Sequence, residues 1–110
     1  MIRHIVMWKL TATEDAERAM VTREIIRLLE GLPEVVPGLT SLEVTTDLGD
    51  DDSNFDLVLV SEHVSQQALL DYQEHPAHRA AAQWIREHVS ARASVAVSYT
   101  HLTLPTNREV

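Results

Sequence analysis

The chain has no cysteine, so neither disulfides nor thiolate metal ligands hold it together, and the redox compartment is left open. Basic residues are scarce: 9 Lys and Arg stand against 17 Asp and Glu, for a formal net charge of −8. Nucleic acid and anionic membranes are drawn to basic patches, so neither is an expected partner, and the acidity reads as solubility. No apolar run approaches the roughly 18 residues of a membrane span. The opening Met1-Ile2-Arg3-His4 leads into a strand pattern rather than a secretory signal, so a cytoplasmic location is the expectation. A glycine-rich phosphate cradle, a nucleophile elbow and a heptad repeat are also missing. What remains is a chain of 110 residues, 45% of them hydrophobic, which suits one domain with one core.

Periodicity supplies the elements. Residues 2–9 carry Ile2, His4, Val6 and Trp8 on one face and Ile5 and Met7 on the other, which predicts a buried strand. Thr11 and Glu14 have the spacing of a capping box ahead of Met20, Val21, Ile25, Leu28, Leu29 and Leu32, with Gly31 near the end; this is the first long helix. Pro33 and Pro37-Gly38 break the pattern, and over residues 42–48 Leu42, Val44, Thr46 and Leu48 alternate with polar neighbours as a half-exposed strand. Residues 49–54 form a polar turn. Its Asp50-Asp51-Asp52 has the composition of a calcium loop without the glycine and distal glutamate that such a loop needs.

A third strand is expected over residues 55–62 and a short helix capped by Ser65 runs to about Gln73. Pro76 starts another helix, with Ala81, Ala82, Ile85 and Val89 on the face of His78, and residues 92–97 read as a last strand. Glu87, His88, Arg79, Arg86 and Arg92 read as an exposed helix face with ordinary charge pairing. The order β-α-β-β-α-α-β predicts an α+β, ferredoxin-like fold with a four-stranded antiparallel sheet. With the helices on one side of that sheet, Ile5, Met7, Val58 and Val60 would leave an apolar face on the other, and a homodimer with facing sheets would cover it. From about residue 98 the sequence continues no element and resembles translated sequencing-adapter read-through. The domain is therefore set at residues 1–99, with residues 100–110 read as a non-native or disordered tail.

The chemistry is concentrated in Asp71-Tyr72-Gln73-Glu74-His75-Pro76-Ala77-His78, which puts a phenol and two imidazoles within eight residues. Pro76 has a fixed φ and no N–H, so it suits the first position of a helix and pushes His75 out of helical geometry. His78 then rides on the first turn, where a neutral imidazole can act as a general base, and Tyr72 can hydrogen-bond a carbonyl or enolate oxygen. The same spacing also allows His75 to cap the helix and Tyr72 simply to pack. His4 shares its strand face with Val6 and Trp8, so it could point toward His78 and Tyr72, although a lone strand histidine is commonly a satisfied core residue. His75 and His78 with Asp71 or Glu74 offer metal-ligand types, but Pro76 breaks the single-helix geometry that would align them. Ala80, Ala81 and Ala82 leave room beside His78 for a cavity, or for close packing of helix on sheet.

Four segments taken together carry a family resemblance: Tyr72-Gln73-Glu74-His75-Pro76-Ala77-His78, the opening from Ile2 to Leu10, the turn Pro37-Gly38-Leu39 and the strand from Phe55 to Val60. In order and spacing the chain resembles the stress-responsive A/B barrel (Dabb) family from about Ile2 to about Val97. That resemblance implies a dimeric α+β barrel. In the family's plant polyketide cyclases, which close a ring by cofactor-free aldol condensation, the matching site residues are His4, Tyr72 and His78. The resemblance thus implies a general base at His78, oxygen stabilisation by Tyr72, orientation by His4, and neither cofactor nor metal. Three readings stay open: a cofactor-free cyclase or lyase acting on a small carbonyl compound, a non-catalytic small-molecule binder, and a stress-protective dimer. A cofactor-free monooxygenase of the related barrel group is a weaker fourth.

Overall fold

Strand β1, Ile2–Leu10, runs through the middle of the sheet. The computed structural model describes residues 1–100; in it β1 pairs antiparallel with β3, Leu57–His63, on one side and with β4, Val89–Ser98, on the other. β2, Leu39–Thr46, pairs antiparallel with β3 and completes the order β2-β3-β1-β4. Helices α1, Asp15–Glu30, α2, Gln66–Glu74, and α3, Pro76–Arg86, complete the β-α-β-β-α-α-β plan. This is the ferredoxin-like α+β fold expected from the order of elements.

Alternation sorts each strand between a helix-facing and an outer side. His4, Val6, Trp8 and Leu10 of β1 are buried toward the helices, while Arg3, Ile5, Met7 and Lys9 are not. The ladder sets His4 beside Ser61 and Ala96, and Trp8 beside Leu57 and Arg92. Val21, Ile25 and Leu29 of α1 close over this side, joined by Leu69 and Tyr72 of α2 and Ile85 of α3. On the outer side Met7, Val95 and Val97 are exposed.

Several boundaries differ from the sequence expectation. The Thr11–Glu14 capping box does not form: Glu14 is the N-cap of α1 and makes no side-chain cap bond. Asp56 organises this corner instead, accepting the Leu10 N–H at 2.7 Å and the Arg18 guanidinium at 2.9 Å, while Arg18 also donates to the Ala12 carbonyl. Met20 is 46% exposed, and Leu32 is buried in a separate 3₁₀ turn, Leu32–Glu34. β2 starts earlier and ends at Thr46, because Asp47 turns the chain by accepting from Gly49 N–H and Asn54 Nδ2; Leu48 lies beyond it, 91% exposed. β3 begins at Leu57 rather than Phe55 and reaches His63. Val89 belongs to β4, not to α3. Ser98 is the last residue of β4, and Tyr99 donates its N–H to the Met1 carbonyl and its hydroxyl to Glu62, with the Arg3 guanidinium 4.6 Å from its ring centroid. Residues 98 and 99 therefore belong to the folded domain, and the expected tail beyond Thr100 lies outside the described residues.

Candidate active site

The site is built around the junction of α2 and α3. Ser65 caps α2 by accepting the Ala68 N–H, which fixes where Tyr72 falls on its last turns. His75 then breaks from the helix at φ −63° and ψ 137°, as the residue before a proline should. Its Nδ1 accepts the Ala77 N–H at 3.0 Å, so His75 is spent as the N-cap of α3. One turn in, His78 Nδ1 lies 3.1 Å from the Gln73 carbonyl oxygen. A carbonyl only accepts, so Nδ1 carries the proton and the neutral ring keeps its free lone pair on Nε2.

The ring of Tyr72 sits between two imidazoles, its centroid 4.4 Å from that of His78 and 4.8 Å from that of His63, each pair tilted by 54°. A cavity of about 360 Å³ lies between the helices and the sheet, and His4, Tyr72 and His78 all line it. Trp8, Val6 and Ile85 provide its apolar wall and Arg86 and Arg92 also face it. Such a volume falls in the range of small-molecule sites, about 300–1,000 Å³. Of the alanines expected to leave room, Ala82 lines the cavity while Ala81 packs in the core. A second hollow of about 570 Å³ lies against Met7, Leu48 and Val58, and among the described residues Asp47 is its one titratable lining group.

Burial sets the protonation of these groups. It lowers the His4 pKa, with the Arg92 and His78 charges acting the same way. It lowers that of His78 too, against the Gln73 hydrogen bond and with help from Arg92 and Arg86. The Tyr72 phenol is pushed up to about 12 by burial, although the Arg92 charge works against the rise. At neutral pH the site thus holds neutral imidazoles and a protonated phenol. Among the described residues His4 Nδ1, which is buried, has no hydrogen-bond partner.

Three further residues were missed or misread in the sequence. His63, fully buried, is brought down to about 4 by burial and then by the His4 and His78 charges. It hydrogen-bonds Ser61 Oγ through Nε2 at 2.9 Å, and its Nδ1 has no partner among the described residues. The period-two run Leu57, Leu59, Ser61, His63 could have found it, had the strand been carried one residue past Glu62. Arg92 is on the last strand, as the 92–97 pattern indicated, and not on an exposed helix face: it lies on β4 opposite Trp8 and on the cavity side. His88 is not simply exposed either: it stacks on Trp84 at 3.7 Å and donates Nδ1–H to the Trp84 carbonyl. Among the described residues no group of three or more His, Asp or Glu side chains could hold a metal ion.

No curated protein sequence matches the chain, but the model of the family described as Stress Responsive A/B Barrel Domain matches residues 2–99. Among solved structures, a dimeric protein of unknown function with a ferredoxin-like fold from Bacteroides fragilis is 25% identical, with a TM-score of 0.81 over 89% of this chain and 95% of its own. A dimeric ferredoxin-like protein of unknown function from Thermobifida fusca is 28% identical, with a TM-score of 0.77 over 89% and 90%. The hydroxynitrile lyase of Passiflora edulis is 18% identical, with a TM-score of 0.76 over 94% and 96%. At that last identity the likeness is one of fold.

Proposed function

The chain belongs to the stress-responsive A/B barrel domain family, and from that premise we propose that it is a homodimer whose helix–sheet cavity takes a small carbonyl-bearing molecule and performs cofactor-free aldol-type cyclase or lyase chemistry. The observation that carries this reading is the pairing of two protonation states in one cavity. His78 keeps Nε2 free because Nδ1 is tied to Gln73, and Tyr72 beside it is a protonated phenol, held further from ionisation by burial.

In the carbon–carbon bond-forming direction, His78 Nε2 takes a proton from the carbon next to a carbonyl. The Tyr72 hydroxyl hydrogen-bonds the enolate oxygen that develops, and the enolate carbon attacks a second carbonyl. The imidazolium then returns its proton to the new alkoxide, so no net proton is gained or lost. In the reverse direction the base takes the hydroxyl proton and the carbon–carbon bond breaks. His4, which lines the same cavity, orients the substrate oxygen. The Passiflora edulis enzyme is an instance of lyase chemistry on this fold. The polar side chains of His4, Tyr72 and His78 lining one cavity also favour a second reading, in which a polar ligand is bound without turnover.

The homodimer reading rests on the outer sheet face, where Met7, Val95 and Val97 are exposed beside Ile5, Val58 and Val60, and on the description of the Bacteroides and Thermobifida relatives as dimeric. The test of activity is a panel of aryl and alkyl ketones with their aldol and cyanohydrin adducts, followed for α-hydrogen exchange in D₂O and for release of the free carbonyl. His78→Ala should lower the rate by roughly 10²–10⁴-fold and Tyr72→Phe by less, with the fold intact. Equal rates in wild type and His78→Ala would remove the enzymatic reading and leave the binding one.

A further inference from the structure

Among the described residues, the mouth of the cavity carries positive charge and no negative charge. Arg86 and Arg92 line it, and the adjoining hollow, which shares His78 and Arg86, adds Arg79. Among the described residues no Asp or Glu lines either space, in a chain with 17 acidic side chains and 9 basic ones. Elsewhere arginines find carboxylates: Arg3 lies 3.1 Å from Glu62 and Arg18 lies 2.9 Å from Asp56. Among the described residues Arg79, Arg86 and Arg92 have no such partner. Arg92 instead donates one hydrogen bond to Ser94 Oγ at 3.2 Å.

The position of Arg92 follows from strand register. Opposite Trp8 in the β1–β4 ladder, it stands on the helix-facing side of β4, on the same side of the sheet as Val6 and His4. Its charge acts on His4, Tyr72 and His78 together. A neutral substrate would gain nothing from this field, whereas a planar carboxylate matches the guanidinium fork and could be held by two parallel hydrogen bonds. We propose that Arg92, with Arg86 of the same cavity lining, binds a substrate carboxylate at the cavity mouth, so that the substrate is an oxo or hydroxy acid rather than a neutral carbonyl compound. This rests on the carbonyl-binding reading of the same cavity. The apolar wall of Val6, Trp8 and Ile85 then receives the hydrocarbon part, and the carbonyl lies inward, toward Tyr72 and His78.

The test is calorimetric titration of the full chain with three probes: 4-oxo-4-phenylbutanoate, its methyl ester, and 4-phenylbutanoate, which keeps the carboxylate but lacks the ketone. Wild type should bind the keto acid about tenfold or more tightly than the ester, the size of a charge-assisted pair at a partly exposed site. Arg92→Gln, an exposed strand position, should lower keto-acid affinity far more than ester affinity and so remove that preference, with the melting temperature nearly unchanged. Ester binding as tight as keto-acid binding in wild type, or a preference that survives in Arg92→Gln, overturns the carboxylate assignment and leaves carbonyl binding standing. Equal binding of 4-phenylbutanoate and the keto acid, with the same dependence on Arg92, supports the anion site and overturns the carbonyl reading. Binding of none of the three overturns both.

Discussion

At the scale of single residues the molecule is shaped by histidines kept neutral. His63 falls from an ordinary 6.5 to about 4, chiefly through burial, a difference equivalent to about 3 kcal/mol. The sign follows from which state takes up the proton. The unfolded chain binds it as pH drops through 6.5 and the folded protein resists until about 4. The contribution of His63 is therefore complete above 6.5 and is lost between 6.5 and 4, with His4 and His78 adding in the same direction. Thermal melts should show a falling midpoint across that window, and His63→Leu should make the fall shallower; an unchanged slope would mean that His63 is not the proton-excluding group. Because the His78 pKa is also lowered, the acid limb of any activity profile should lie below the ordinary histidine value. Tyr72, His75 and His78 were legible from the spacing around one proline. Burial of His63 was not, because it depends on where a strand ends and on what α2 lays over it.

At the scale of elements, the turn before β2 fixes how closely α2 approaches. Gly38 has φ +84°, and a Cβ built there would lie 2.8 Å from Ala68 Cβ of α2, so both conformation and contact require glycine. Gly38→Ala should destabilise the protein by about 2 kcal/mol or more in urea unfolding, combining left-handed strain with the push on α2. A loss under about 0.5 kcal/mol would mean that α2 is free to shift. Alternation and helical spacing were enough to order the elements, since Val21, Ile25, Leu29 and the β1 faces follow simple periods. Boundaries were decided by single side chains acting across the chain. Asp56 organises the corner before α1 through Leu10 and Arg18, and Asp47 ends β2 before Leu48 can join it. No local period records such contacts. Arg92 was misread for a related reason: only the register of β4 against Trp8 turns it toward the cavity.

At the scale of the whole molecule, the unpartnered outer face and the cavity make separate predictions. Val60→Asp would set a charge in the centre of the proposed dimer interface, where desolvation costs several kcal/mol. Wild type should sediment as a dimer at micromolar concentration and Val60→Asp as a monomer or an unfolded chain. A wild-type monomer would contradict the assembly. The cavity is a claim about chemistry, and its centre is one nitrogen atom. ¹⁵N-labelled histidine NMR of the full chain at pH 7 reads that atom directly, before and after addition of a ketone ligand. His78 should be neutral with its proton on Nδ1, and its Nε2 resonance should move when the ketone binds, less so in Tyr72→Phe. A His78 ring already charged at pH 7, or an Nε2 resonance indifferent to the ketone, would contradict it.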